Sequence, residues 1–197
     1  MSFNCPEFIK EFKQYVSSLG VINSALEVGC YSGELKDAVN ADGIDLNPKR
    51  EDVKKCDIRD FKSGKKYDLV FSSGLLEHYS VEDAIDILKA MASVSNAFVL
   101  NYVPNTNCLA YKNAKKKTNA EWKNESDFTE ESLAKLHEEA GLKVIETGTA
   151  GKEWAKRFGS ELSEPYLVYC LAQSRVGRKK WQAEESNIAA EFAILEE

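Results

Sequence analysis

The chain has 197 residues, 43% apolar and 29% charged, with a formal net charge of -6. One domain over 1–197 is expected, because this length can bury a full core and the apolar runs are too short for a membrane span. The acidic balance argues against nucleic acid held by bulk electrostatics, which leaves a small molecule or a protein as the expected partner. Five scattered cysteines (Cys5, Cys30, Cys56, Cys108, Cys170) and two histidines (His78, His137) show no C-x-x-C pair, so neither a disulfide framework nor a metal site is indicated. The first residues carry neither a basic leader nor an apolar signal core, and a cytoplasmic location is expected.

In chain order, 1–20 opens with Phe8, Ile9, Phe12, Tyr15, Val16 and Leu19 at amphipathic spacing, an N-terminal helical segment laid against the rest. Strands are predicted at 25–28, 42–46, 52–56, 67–72, 97–103, 143–147 and 166–172. They alternate with helical patterns, which points to an α/β parallel sheet. Between Leu46 and Val53 there is room for at most a single helical turn, so the sheet edge there should be thinly covered. A helix begins at Ser80, with Asp83 three residues on, and buries Ala84, Ile85, Leu88 and Met91.

The polar, lysine-rich stretch 104–128 reads as a long loop lying over the active site. A further helix opens at Thr129, where Phe128 and Leu133 can form a hydrophobic staple, and stops at Gly141. A C-terminal helical extension over 178–197 places Trp181, Ile188, Phe192 and Leu195 on one face. It docks on its own domain or on a partner, leaving monomer or homodimer open.

The segment Ala25-Leu-Glu-Val-Gly-Cys-Tyr-Ser-Gly33 places glycines between the first strand and the following helix, where backbone amides can approach a ligand. A dinucleotide fingerprint counted from Gly29 would need glycine at Tyr31 and Glu34, and no G-x-x-x-x-G-K-[ST] loop exists. What the segment resembles is the cofactor turn of class I (Rossmann-like) S-adenosylmethionine-dependent methyltransferases, of the small-molecule type 11/12 group. Further landmarks follow in order: Gly43-Ile-Asp45-Leu-Asn-Pro48, Cys56-Asp57-Ile58, the run Tyr67 to Tyr79, and the run Phe128 to Val144. The similarity spans roughly residues 20–175.

The resemblance implies a doubly wound, seven-stranded, mostly parallel sheet with its last strand antiparallel and helices on both faces. It also implies S-adenosylmethionine as cofactor and a small-molecule acceptor, with no nucleic acid, membrane or metal involved. Asp45 would hold the ribose hydroxyls, since a carboxylate offers two acceptor oxygens in one plane. Leu46 adjoins it. Asp57 and the Ile58 amide would read adenine. Gly29, Cys30, Tyr31 and Gly33 would line the methionine part, with Tyr31 standing where the family more often has glycine. Glu27 holds the turn or reaches the ammonium group, toward which Ser72 and Ser73 would offer carbonyls. Asp45 and Asp57 could also simply form a turn or a cap.

Methyl transfer needs a held nucleophile and excluded water more than it needs a base. His78 is the candidate catalytic base by its ordinary pKa, although the Leu-Glu-His run equally suits shaping the loop. His137 is expected on the surface. Tyr102, Asn105, Tyr111 and Trp122 are candidate acceptor contacts, with Trp154, Arg157 and Phe158 as a second wall. A non-catalytic protein that keeps the cofactor pocket is the alternative function.

Overall fold

The computed structural model describes residues 5–117, 124–157 and 164–174. Its strands are β1 (Ala25–Val28), β2 (Asp42–Asp45), β3 (Lys54–Lys55), β4 (Tyr67–Ser73), β5 (Ser95–Pro104), β6 (Lys143–Ala150) and β7 (Leu167–Gln173). They form one seven-stranded sheet in the order β3-β2-β1-β4-β5-β7-β6. The first five pair in parallel, and β7 runs antiparallel between β5 and β6. This is the expected doubly wound class I methyltransferase architecture.

The period-2 alternation of side chains sorts the strand residues onto two faces. One face of β4 and β5 (Leu69, Phe71, Phe98, Leu100 and Tyr102) packs under α1 (Pro6–Ser18) and α6 (Lys152–Arg157) through Phe8, Phe12 and Trp154. The other face (Val70, Val99 and Val103) packs under α3 (Val81–Val94) and α5 (Glu130–Glu139) through Leu88, Met91, Leu133 and Leu136. Full burial of one such large apolar side chain contributes roughly 1.5–3 kcal/mol.

Local chemistry sets the helix ends. Pro6 opens α1, where its missing N–H costs nothing. Ser80 caps α3 by accepting the Asp83 amide. Thr129 caps α5 by accepting the Ser132 amide at 3.2 Å, and Ser132 Oγ in return accepts the Thr129 amide at 2.9 Å. Phe128 and Leu133, on either side of that cap, are both buried in one cluster.

The second crossover contains no helix at all. In its place Lys36 from the short α2 (Glu34–Ala38) reaches Asp52 at 2.8 Å and Asp37 at 3.1 Å, and Arg50 pairs with both aspartates. The Lys36 stem lies across Gly43, where an added Cβ would come within 2.7 Å of Lys36 Cδ. Both residues of β3 are exposed.

Two expectations are corrected. The stretch 104–128 is not a plain loop, because α4 (Leu109–Lys117) forms within it and buries Ala110 and Tyr111 beside Cys108. His137 is not on the surface: it is fully buried, and its Nε2 lies 2.8 Å from the Asn101 amide nitrogen. The reason is that Asn101 faces α5 from the middle of β5 and needs a polar partner there. The extension over 178–197 and Trp122 and Phe158 lie outside the described residues.

Candidate functional site: a cavity at the strand ends

At the C-terminal ends of β1, β2 and β4 lies a cavity of about 220 Å³. Its lining includes Gly29, Tyr31, Asp45, Leu46, Asp57, Ile58, His78 and Tyr79. Ligands of open α/β sheets collect at this place, where the order of strands reverses. Next to it lies a separate narrow cleft of about 10 Å³, which shares Gly29 and Tyr31 with the cavity and is lined also by Glu27, Cys30 and Ser73.

The turn after β1 is built for close approach. Gly29 has φ +74°, Tyr31 φ +38° and Gly33 φ +76°. A Cβ at Gly29 would meet Leu75 Cδ1 at 2.9 Å, so Leu75 packs directly against the turn. Tyr31 pays its left-handed backbone with two tethers: its amide donates to Asp45 Oδ2 at 2.8 Å, and its carbonyl accepts the Lys49 amide at 3.1 Å. Its half-exposed ring lies 5.4 Å from the Lys49 ammonium.

Glu27 sits beneath this turn, 4% exposed, and its Oε2 accepts the Lys36 amide at 2.7 Å. Gly33 has no side chain to cap α2, so a carboxylate from the neighbouring strand does the capping instead. Burial pushes the Glu27 carboxyl up to about 8, against the lowering effect of the Lys36 amide. Cys30 is buried under β2, and burial raises its thiol to about 12, which makes it unreactive.

Asp45 Oδ1 accepts the Asn47 amide at 2.6 Å, so both of its oxygens are oriented by backbone before any ligand arrives. Asp57 caps a 3-10 turn (Ile58–Asp60) and is gripped by Arg59, whose Nε and Nη2 donate to its two oxygens at 3.0 and 2.8 Å. The Arg59 guanidinium holds the Asp57 carboxyl below its ordinary value. Each carboxylate oxygen has two lone pairs, so Asp45 keeps one on each oxygen and Asp57 keeps one on Oδ2, its Oδ1 accepting both the Arg59 amide and Nε.

Ser72 and Ser73 point to opposite faces of β4. Ser72 Oγ donates to Asn101 Oδ1 at 2.6 Å. Ser73 Oγ is buried beside the narrow cleft with no hydrogen-bond partner among the described residues. An orphaned hydroxyl, left-handed glycines and two oriented carboxylates suit a ligand with an amino-acid end and a nucleoside end.

Tyr102, Asn105, Tyr111 and Trp154 are not among the residues that line these two cavities. Tyr102 is buried against Phe8 and Phe12, its ring centroid 5.4 Å from that of Phe8. Asn105 donates to the Pro165 carbonyl at 3.1 Å and accepts the Asn107 amide. Tyr111 donates to Glu125 Oε2 at 2.8 Å, and Trp154 stacks on Tyr166. His78 lines the main cavity half-exposed, its Nδ1 3.8 Å from Glu125 Oε1. Sequence reasoning missed Leu75, Tyr79, Arg59 and Glu125. No spacing in the chain links any of them to the glycine turn.

Residues 5–147 match a family model described as a methyltransferase domain. The chain belongs to that family. This methyltransferase uses S-adenosylmethionine, and its relatives include structures with that cofactor or its demethylated product bound. One is a SAM-dependent methyltransferase from Archaeoglobus fulgidus (16% identity, 84% of this chain and 92% of that chain covered, TM-score 0.64). A second is magnesium protoporphyrin IX methyltransferase from Synechocystis PCC 6803 with bound SAH (16%, 84% and 81%, 0.59). A third is 1,6-didemethyltoxoflavin-N1-methyltransferase from Burkholderia thailandensis (13%, 84% and 77%, 0.63). At these identities the likeness is one of fold. No curated protein matches the sequence. Among the described residues no helix is long and apolar enough to cross a membrane, and no three His, Cys, Asp or Glu residues gather as a metal site.

Proposed function

We propose that this methyltransferase passes the methyl group, by in-line displacement, to a small-molecule acceptor. The observation that carries this reading is the adjacency of the Asp57–Asp45 cavity, bordered by His78 and Tyr79, and the small Glu27–Ser73 cleft, which share Gly29 and Tyr31 in their linings. Asp45 would accept the ribose hydroxyls, and Asp57 and Ile58 would read adenine. Gly29 and Gly33 would admit the methionine part. Cys30 and Tyr31 would border that part, Leu46 would cover the ribose side, and a backbone carbonyl of Ser72 or Ser73 would meet the ammonium group. When bound, the cofactor supplies a methyl on a cationic sulfur, open to a nucleophile from the opposite side. The chain's own task is then to orient the acceptor and exclude water.

His78 serves in this reading as a wall of the cavity and a brace for the loop. Its pairing geometry with Glu125 and its exposure suit that role. Calorimetry with S-adenosylmethionine, its demethylated product and NAD, together with a turnover screen over small acceptors, tests the proposal. Micromolar binding of the sulfur compounds with methylation of a small acceptor is the expected result. Methylation confined to proteins or nucleic acids would overturn the small-molecule assignment.

A further inference from the structure

Glu77 follows β4 in the short 3-10 turn Leu76–His78 and is 2% exposed. Its Oε2 has no hydrogen-bond partner among the described residues. A buried carboxylate oxygen without a donor is an uncommon feature that calls for an explanation. Glu125 stands close by. The residue after it, Ser126, donates its amide to the Glu77 carbonyl at 2.7 Å and its hydroxyl to the Tyr79 carbonyl at 3.0 Å, which pins the segment to the turn. The Glu125 side chain is itself 7% exposed and faces the Tyr111 hydroxyl and His78.

Two buried carboxylates therefore share one corner, beside a histidine that lines the cofactor cavity. No lysine or arginine among the described residues pairs with either side chain: Lys115 is held at 2.7 Å by Asp127 Oδ1 and at 2.7 Å by the Glu125 carbonyl, its ammonium 5.6 Å from the Tyr111 ring centroid. Burial, reinforced by the charge of Glu125, pushes the Glu77 carboxyl up to about 8. Tyr111 and Tyr166 stand edge to face beside them, ring centroids 5.9 Å apart, and both feel the charges of the two glutamates.

We infer that Glu77 and Glu125, walled by Tyr111 and Tyr166, form a subsite for the ammonium group of the acceptor, so that the substrate class is a small amine. The inference rests on the reading of a small-molecule acceptor given above. An ammonium supplies what the corner lacks: N–H donors for Glu77 Oε2 and a positive charge beside Glu125, in addition to the Lys115 ammonium that already lies 5.6 Å from the Tyr111 ring centroid. A phenolate or carboxylate acceptor would instead add a negative charge beside Glu125 and bring no donor to Glu77 Oε2.

The test is calorimetric titration of the full chain, with and without S-adenosylhomocysteine. The probes are benzylamine and n-butylamine beside the alcohol and carboxylic acid of matching shape. Each amine is expected to bind at least tenfold tighter than its alcohol or acid. Glu125→Gln and Glu77→Gln should each weaken the amines at least tenfold while leaving S-adenosylhomocysteine affinity within twofold. Should Glu77→Gln fail to fold, Glu125→Gln and Tyr111→Phe carry the comparison. Equal binding of alcohol or acid, unchanged amine affinity in folded variants, or no amine binding by a protein that takes up S-adenosylhomocysteine would each overturn the inference. Methylation of a small phenol or acid would sink the amine subsite and leave the small-molecule reading standing; methylation of macromolecules alone would remove both.

Discussion

The Asp45 carboxylate accepts the Tyr31 amide at 2.8 Å, tying the tip of β2 to the turn after β1. One side chain thus fixes a left-handed residue and presents acceptor lone pairs to the same cavity. Asp45→Ala removes both functions. Because hydrogen bonds to a charged group are worth about 1.5–3 kcal/mol, affinity for S-adenosylhomocysteine is expected to fall roughly tenfold to 150-fold. Asp45→Asn should lose less. Calorimetry reads both, and an Asp45→Ala variant with unchanged affinity would refute the assignment.

Gly29→Ala combines a positive φ with a Cβ placed 2.9 Å from Leu75 Cδ1. A stability loss of about 1–2 kcal/mol is expected from the backbone alone, with additional loss of cofactor affinity as Leu75 is pushed aside. Adding Leu75→Ala should recover part of the affinity and none of the backbone strain. Urea unfolding and calorimetry on the double variant separate the two effects.

Glu27 caps α2 through the Lys36 amide, so Glu27→Ala should cost about 1–2 kcal/mol, whereas Glu27→Gln keeps an acceptor oxygen. The pH dependence has a definite sign. The folded carboxyl lies at about 8 against an ordinary 4.5, so its contribution is complete below pH 4.5 and is lost as pH rises through 8. Glu77 contributes a slope of the same sign, which makes the difference between wild type and Glu27→Gln the quantity to measure. Wild type should lose stability relative to the variant across that window.

His137 shows the opposite dependence. Burial lowers its folded value to about 4 from 6.5, so the stability it confers is present above pH 6.5 and is lost as pH falls toward 4. The shift amounts to about 3 kcal/mol across that interval. The neutral ring accepts from the Asn101 amide through Nε2 and donates from Nδ1 to the Leu133 carbonyl at 2.8 Å, and a second proton would break the first of these. Denaturant midpoints at pH 7 and pH 4.5 should differ less in His137→Gln than in wild type.

Replacing His78 with Asn should leave turnover within about threefold of wild type and cofactor binding intact, as expected of a cavity wall. A loss approaching the 100-fold or more typical of a missing general base would return His78 to catalysis.

The sheet was legible because its signal is local. β1 and β4 are bounded apolar runs, and the ends of β5, β6 and β7 moved by no more than three residues. The Thr129 and Ser80 caps could be read for the same reason. His137 was misread because the helix pattern around it is ordinary and its partner lies on β5, 36 residues away. Helix α4 hid in a run of lysines because few of its residues, Ala110 and Tyr111 among them, face the core. In the site, Asp45 and Asp57 stand at strand tips that sequence can find. The Arg59 grip on Asp57 and the Glu125 approach to the turn after β4 are tertiary contacts without a sequence period.

The bare second crossover leaves the sheet ending in a strand of only Lys54 and Lys55, both exposed. An open strand edge is a template for the backbone of another chain, and brevity with lysine charge is a known defence against it. A neighbouring copy pairing there in register would bring ammonium groups face to face. The lysines thus guard against self-association at an edge that no helix among the described residues covers, and Lys54→Val with Lys55→Thr should trade solubility for aggregation while leaving the cavity at the strand ends in place.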